Sequence, residues 1–139
     1  GKRLCSSMEW ERACRGTDRR RYSYGSERDA DRCNTPIEGS GPGQGPIPLR
    51  LIGSHPDCRS DEGVHDLNGS LSEWVFDPWD GPPPSFESDV EVDPETWRTL
   101  RGGTMWNQTF YGQDCTSRHG HPMEGWTNND DGFRCCRDL

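Results

Sequence analysis

Gly1-Lys2-Arg3-Leu4-Cys5-Ser6-Ser7-Met8-Glu9-Trp10-Glu11-Arg12-Ala13-Cys14-Arg15-Gly16 is the stretch from which the rest of the chain is read. Ser6 and Glu9 stand at the S-x-x-E spacing of a capping box: the Ser6 hydroxyl accepts from the Glu9 backbone N–H, and the Glu9 carboxylate reaches back. Trp10, Ala13 and Cys14 then fall at i, i+3 and i+4, which is one face of a helix. Gly16 supplies the left-handed residue on which a helix stops. The spacing predicts a short helix with an aromatic ring and a cysteine on its inner side.

Around this helix the composition is lean. Hydrophobic residues make up 28% of the 139, and the chain carries 17 Gly and 11 Pro. An ordinary globular domain is roughly 45–50% apolar, glycine included. With 16 Lys and Arg against 24 Asp and Glu, the net charge is −8. That leaves no basic excess for a nucleic-acid backbone, so no nucleic-acid partner is expected. No apolar run approaches the roughly 20 residues of a membrane span. Long stretches with a 3.6-residue apolar period are missing, which argues against a helical bundle. The length suits one domain.

A thin core needs other bracing, and the 7 Cys and 6 Trp are the candidates. The cysteines (Cys5, Cys14, Cys33, Cys58, Cys115, Cys135, Cys136) include no C-x-x-C pair, which argues against a zinc module. They fit disulfides, which persist outside the reducing cytosol, so a secreted or periplasmic setting is expected. The plainer alternative is buried free thiols in a cytosolic protein. An odd count leaves at least one cysteine without a partner inside the chain.

Residues 17–33 are polar and charged and read as a surface loop. Residues 38–48, rich in Gly and Pro, read as a loop, and 77–95 as irregular. Short apolar patches at Leu49–Ile52, Leu71–Phe76, Thr96–Leu100 and Gly132–Cys135 read as strands. No internal repeat is visible.

Three separated motifs belong together. GKRLCSSMEWERACRG at 1–16 resembles the opening of the formylglycine-generating enzyme (sulfatase-modifying factor) family. EGVHDLNGSLSEWVFD at 62–77 is similar to its N-G-L-x-D-M-x-G-N-V-W-E-W segment. RGGTMW at 101–106 with GFRCC at 132–136 matches its R-G-G-S-W and terminal G-F-R-C. The resemblance implies an α+β, C-type-lectin-like fold, rich in loops and stapled by disulfides. It implies that residues 1–139 form the C-terminal part of one such domain, with the family's N-terminal half as a missing partner.

The resemblance also implies chemistry. Family members that oxidise a sulfatase cysteine to formylglycine carry a C-x4-C pair after the G-G-S, whose thiolates bind copper; soft sulfur suits Cu(I). Counting from Gly102-Gly103-Thr104 puts Asn107 and Gly112 at those positions. No cysteine falls there, so copper is not expected. The family's cysteine pattern implies a Cys14–Cys115 disulfide and leaves Cys135 with its partner upstream of Gly1. Among the remaining four, Cys5 with Cys136 and Cys33 with Cys58 is the preferred pairing. The alternative is a reactive thiol at Cys135 or Cys136.

Asp66 and Glu73 place two carboxylates seven residues apart around small, turn-prone residues, and calcium takes six to eight hard oxygens. The resemblance supplies a matching set: the side chains of Asp66 and Glu73 with the carbonyls of Leu67, Gly69 and Leu71. A second family calcium site begins at Asn34 with the Thr35 carbonyl. The competing reading is that Asp66 caps a turn and Glu73 pairs with an arginine. His119 and His121, with His65 or Asp114, are a weaker transition-metal candidate. Asn68-Gly69-Ser70 and Asn107-Gln108-Thr109 are glycosylation sequons.

Trp106, Asn107, Phe110, Tyr111 and Trp126 fall where this fold shapes its ligand face, with Gln108, Asn128, Asn129 and Asp130 nearby. Flat apolar area mixed with amides suits a protein or carbohydrate ligand; the competing reading puts both Trp in the core. The reading that results is an extracytoplasmic, non-catalytic binding or scaffold module. Its rivals are an active sulfatase-maturing oxidase and a diversified lectin-like ligand-binding protein.

Overall fold

The structure, a computed structural model, describes residues 1–35, 47–82, 91–93, 95–104, 113–125 and 128–138. Strand β1 (Arg3–Leu4) leads into helix α1 (Ser7–Arg15). Ser6 is the N-cap, both halves of the capping box form, and Gly16 ends the helix with φ of 63°. Trp10 and Cys14 are its buried residues, on the face that the i, i+4 spacing selects.

The remaining strands are β2 (Ser72–Pro78), β3 (Trp97–Arg101), β4 (Arg118–Pro122), β5 (Asp131–Phe133) and β6 (Cys135–Cys136). Four of them form a mixed sheet in the order β4-β3-β2-β5. β2 runs antiparallel to β3, with Trp74 opposite Leu100, and parallel to β5, with Trp74 opposite Phe133. β1 pairs with β6. The Phe76 N–H donates to the Cys5 carbonyl at 2.9 Å, tying that small ribbon to β2. The core lies between α1 and the sheet: Trp10, Cys14, Leu67, Val75, Cys5 and Cys115.

Disulfides join Cys5 to Cys136, Cys14 to Cys115 and Cys33 to Cys58. Cys135 is free and exposed. Each bridge buries sulfur where aliphatics are scarce, and each closes a loop of the unfolded chain.

Three readings of the strands need correction. Leu49–Ile52 is not a strand. Leu51 and Ile52 are 86% and 94% exposed, and the Ser54 N–H turns back to the Leu51 carbonyl at 3.0 Å. The patch is apolar, but among the described residues it pairs with no strand. Gly132–Cys135 is two strands, because the Arg134 side chain between them leaves to bind Glu73. β4 was not expected, since Arg118-His119-Gly120-His121-Pro122 has no apolar alternation. Its pairing with β3 and the bare Gly120 hold it: a Cβ there would meet the Trp79 ring at 2.1 Å.

Candidate functional site

The segment 66–73 turns on three left-handed residues, Asp66 with φ of 58°, Gly69 with φ of 81° and Ser70 with φ of 61°. Gly69 is required, because a Cβ would meet the Asn34 carbonyl oxygen at 2.5 Å and Thr35 Cγ2 at 2.7 Å. Its N–H donates to the Gly102 carbonyl at 2.7 Å, and the Ser70 N–H to the Asn34 carbonyl at 2.9 Å. The loop is thereby locked to the 33–35 turn and to the glycine pair that ends β3.

The carboxylates nominated for calcium are already engaged. The Glu73 oxygens accept from Arg134 Nε at 2.5 Å, Arg134 Nη2 at 2.6 Å and Trp10 Nε1 at 2.6 Å. Asp66 Oδ2 accepts from the Gly53 N–H at 2.7 Å. Arg134 Nη2 also donates to the His65 carbonyl at 3.2 Å. A guanidinium thus stands against both oxygens of Glu73, and a divalent cation there meets a like charge. Asn34 Nδ2 donates to Ser70 Oγ and to the Pro48 carbonyl, both at 3.1 Å. The Thr35 N–H binds the Cys33 carbonyl at 2.8 Å. So arranged, Asp66 and Glu73 do not fit a calcium ion as its two carboxylates, and the turn-cap and ion-pair reading describes them. The carbonyls of Leu67 and Leu71 do converge, both lying within 4 Å of a Cβ built at Gly102. Asn68, the first sequon residue, is 1% exposed; it accepts from the Ser23 N–H and donates to the Gln113 carbonyl, both at 2.8 Å.

All seven cysteines are described, six are in disulfides, and Cys135 is the single thiol. Trp106, Asn107, Phe110, Tyr111, Gly112 and Trp126, the remaining nominated positions, lie outside the described residues.

Next to the glycine pair stands Asp130, which sequence reasoning placed only among loop polar groups. It is 5% exposed, and its Oδ1 has no hydrogen-bond partner. Burial pushes its carboxyl pKa up, against hydrogen bonds from Thr104 and Asn128. Arg101 was also not singled out. It is 5% exposed and binds Ser7 Oγ, Glu11 and the carbonyls of Cys115 and Thr116, clamping α1 to the Cys115 turn. A run of Asn and Asp, or one more Arg, carries no local signal of such burial. His119 and His121 lie side by side on β4, with centroids 5.4 Å apart. Burial pushes both pKa values down to about 4, and for His121 the neighbouring His119 adds to it. Neither His65 nor Asp114 joins them: among the described residues no three His, Cys, Asp or Glu gather around one point. Among the same residues no helix is long and apolar enough to cross a membrane.

Comparison with known proteins gives the fold its relatives. The formylglycine-generating enzyme of Thermomonospora curvata is 30% identical over 122 residues, spanning 76% of this chain and 39% of that protein. Among solved structures, CarF superposes with a TM-score of 0.74 at 21% identity, covering 100% of this chain and 48% of that one. Treponema denticola variable protein 1 gives 0.68 at 23% identity, covering 99% and 48%. PvdO from Pseudomonas aeruginosa gives 0.67 at 21%, covering 99% and 53%. The chain therefore spans about half the length of these solved relatives and less of the curated one. The sulfatase-modifying factor enzyme 1-like domain family matches from residue 1 to residue 139, and with the capping-box helix, the mixed sheet and the glycine turn after β3 in place, the chain belongs to that family.

Proposed function

We propose that this domain is a non-catalytic binding or scaffold module of the sulfatase-modifying factor family, working outside the reducing cytosol. The supporting observation is the cysteine inventory. The oxidase chemistry suggested by the family needs two thiolates on one copper ion, and soft thiolate is what selects Cu(I). This chain has one free thiol, the exposed Cys135 of β6, with every other cysteine tied up in a bridge. Asn107 and Gly112 stand where the resemblance places the pair. Neither an amide nor a glycine replaces a thiolate. The three bridges favour an oxidising compartment, because glutathione keeps cytosolic thiols reduced.

The test is turnover. The protein is supplied with copper and oxygen and given a cysteine-containing sulfatase peptide, and aldehyde is sought by mass spectrometry. No aldehyde above the no-protein control is the expected outcome. Formation of formylglycine at a catalytic rate overturns the reading.

A further inference from the structure

Asn68-Gly69 is the one Asn-Gly pair in the chain, and an asparagine before glycine is chemically labile. The Gly69 backbone nitrogen, with no β-carbon on its own residue to shield it, attacks the carbonyl carbon of the Asn68 side chain. Its proton passes to a solvent base, the bond to the amide nitrogen breaks, and ammonia leaves. Water then opens the resulting five-membered imide to aspartate or isoaspartate. In the fold the groups this step needs are held elsewhere. Asn68 is 1% exposed. Its Oδ1 accepts from the Ser23 N–H and its Nδ2 donates to the Gln113 carbonyl, both at 2.8 Å. The Gly69 N–H donates to the Gly102 carbonyl at 2.7 Å. The Cys115 N–H donates to the Arg21 carbonyl at 2.8 Å, so the Asn68 amide bridges two segments that are themselves joined, and the Cys14–Cys115 disulfide ties one of them to α1.

We propose that Asn68-Gly69 is a deamidation site gated by the fold: closed in the native protein, open in the unfolded chain, and leaving a product that bars the way back. Attack requires the Asn68 amide to leave both of its partners and swing toward its own main chain. It also requires the Gly69 nitrogen to give up its acceptor. Buried groups released in this way lose hydrogen bonds that no water replaces, so the reaction runs through opened chains and is slowed by the rarity of opening. The product does not fit the place that Asn68 fills. Aspartate sets an oxygen where Nδ2 stood, acceptor against the Gln113 acceptor, and buries a charge between two backbone groups. Isoaspartate adds a carbon to the main chain directly before Gly69. There a single Cβ on Gly69 would already meet the Asn34 carbonyl oxygen at 2.5 Å. The step needs only water, and it is independent of the binding role proposed above.

The experiment compares the native protein with the same chain reduced and unfolded in guanidinium, both held at mildly alkaline pH. Samples are digested over time, and the peptide bearing residue 68 is scored by mass spectrometry for conversion of amide to acid. The native protein is expected to react at least tenfold more slowly. A second measurement needs no variant. The partly converted, unfolded chains are returned to buffer with a glutathione redox pair, and those that become protease-resistant are separated from those that do not. Acid at residue 68 is expected to be at least fivefold depleted in the resistant fraction. The proposal is overturned if the native protein converts as fast as the unfolded chain, or if chains with acid at residue 68 regain resistance in proportion to their abundance.

Discussion

Glu73 shows how a residue's sequence context misleads about its partner. Its spacing from Asp66 suggested an ion held by oxygens, yet its charge is met by Arg134, 61 residues later. A buried carboxylate must find a cation or lose its charge. Three predictions belong at this scale. Adding calcium, or a chelator, shifts the melting temperature by less than about 1 °C, as calorimetry will show, because linkage stabilises only a state that binds; a shift of several degrees shows that the ion displaces Arg134. Arg134→Met strands Glu73 with the Trp10 N–H alone and costs about 3–5 kcal/mol in urea unfolding. Replacing both Arg134 and Glu73 with apolar residues of similar size restores much of that, since no buried charge is then left unpaired.

At the scale of elements, α1 is specified locally and β4 is not. Ser6→Ala removes the acceptor of the Glu9 N–H, 3.2 Å away, and costs about 1 kcal/mol by denaturant unfolding. In β4 the decisive residue is Gly120, where a Cβ would collide with the Trp79 ring. Gly120→Ala costs about 1–3 kcal/mol through forced repacking, more than its gain in strand propensity returns. The same strand sets a pH dependence. Its histidines titrate near 4 in the fold against an ordinary 6.5. Between those values the unfolded chain binds protons that the folded one does not. Stability therefore falls as pH is lowered from about 6.5 to about 4, and His121→Asn flattens that slope in a series of melting curves.

For the whole molecule, covalent bracing takes over from apolar mass. The Cys14–Cys115 bridge closes 101 residues of chain and Cys5–Cys136 closes 131. Replacing Cys14 and Cys115 together by Ala costs about 2–5 kcal/mol. Thiol titration of the unfolded, unreduced protein should find one reactive group per chain; three or more would mean that a bridge is missing and that the copper argument needs revisiting.

What the sequence determined by itself is whatever rests on near neighbours or on the pattern of motifs. The capping box at Ser6 and Glu9 places α1, because both partners lie within one turn. Short runs rich in β-branched and aromatic residues around 72–76 and 97–100 mark β2 and β3. The motif order points to the family, and with it to the Cys14–Cys115 bridge; the other two bridges were a preference among the four cysteines left over, and the fold made the choice. Only tertiary structure decided the rest. Leu49–Ile52 has the composition of a strand, but a strand needs an edge to pair with, and among the described residues it pairs with none. Arg118–Pro122 has no such composition and is a strand because β3 offers one. Arg134 against Glu73, Arg101 beneath α1, and the burial of Asp130 and of the His119–His121 pair all join residues distant in the chain. Their energies come from being withdrawn from water together, a condition that exists only once the fold has assembled.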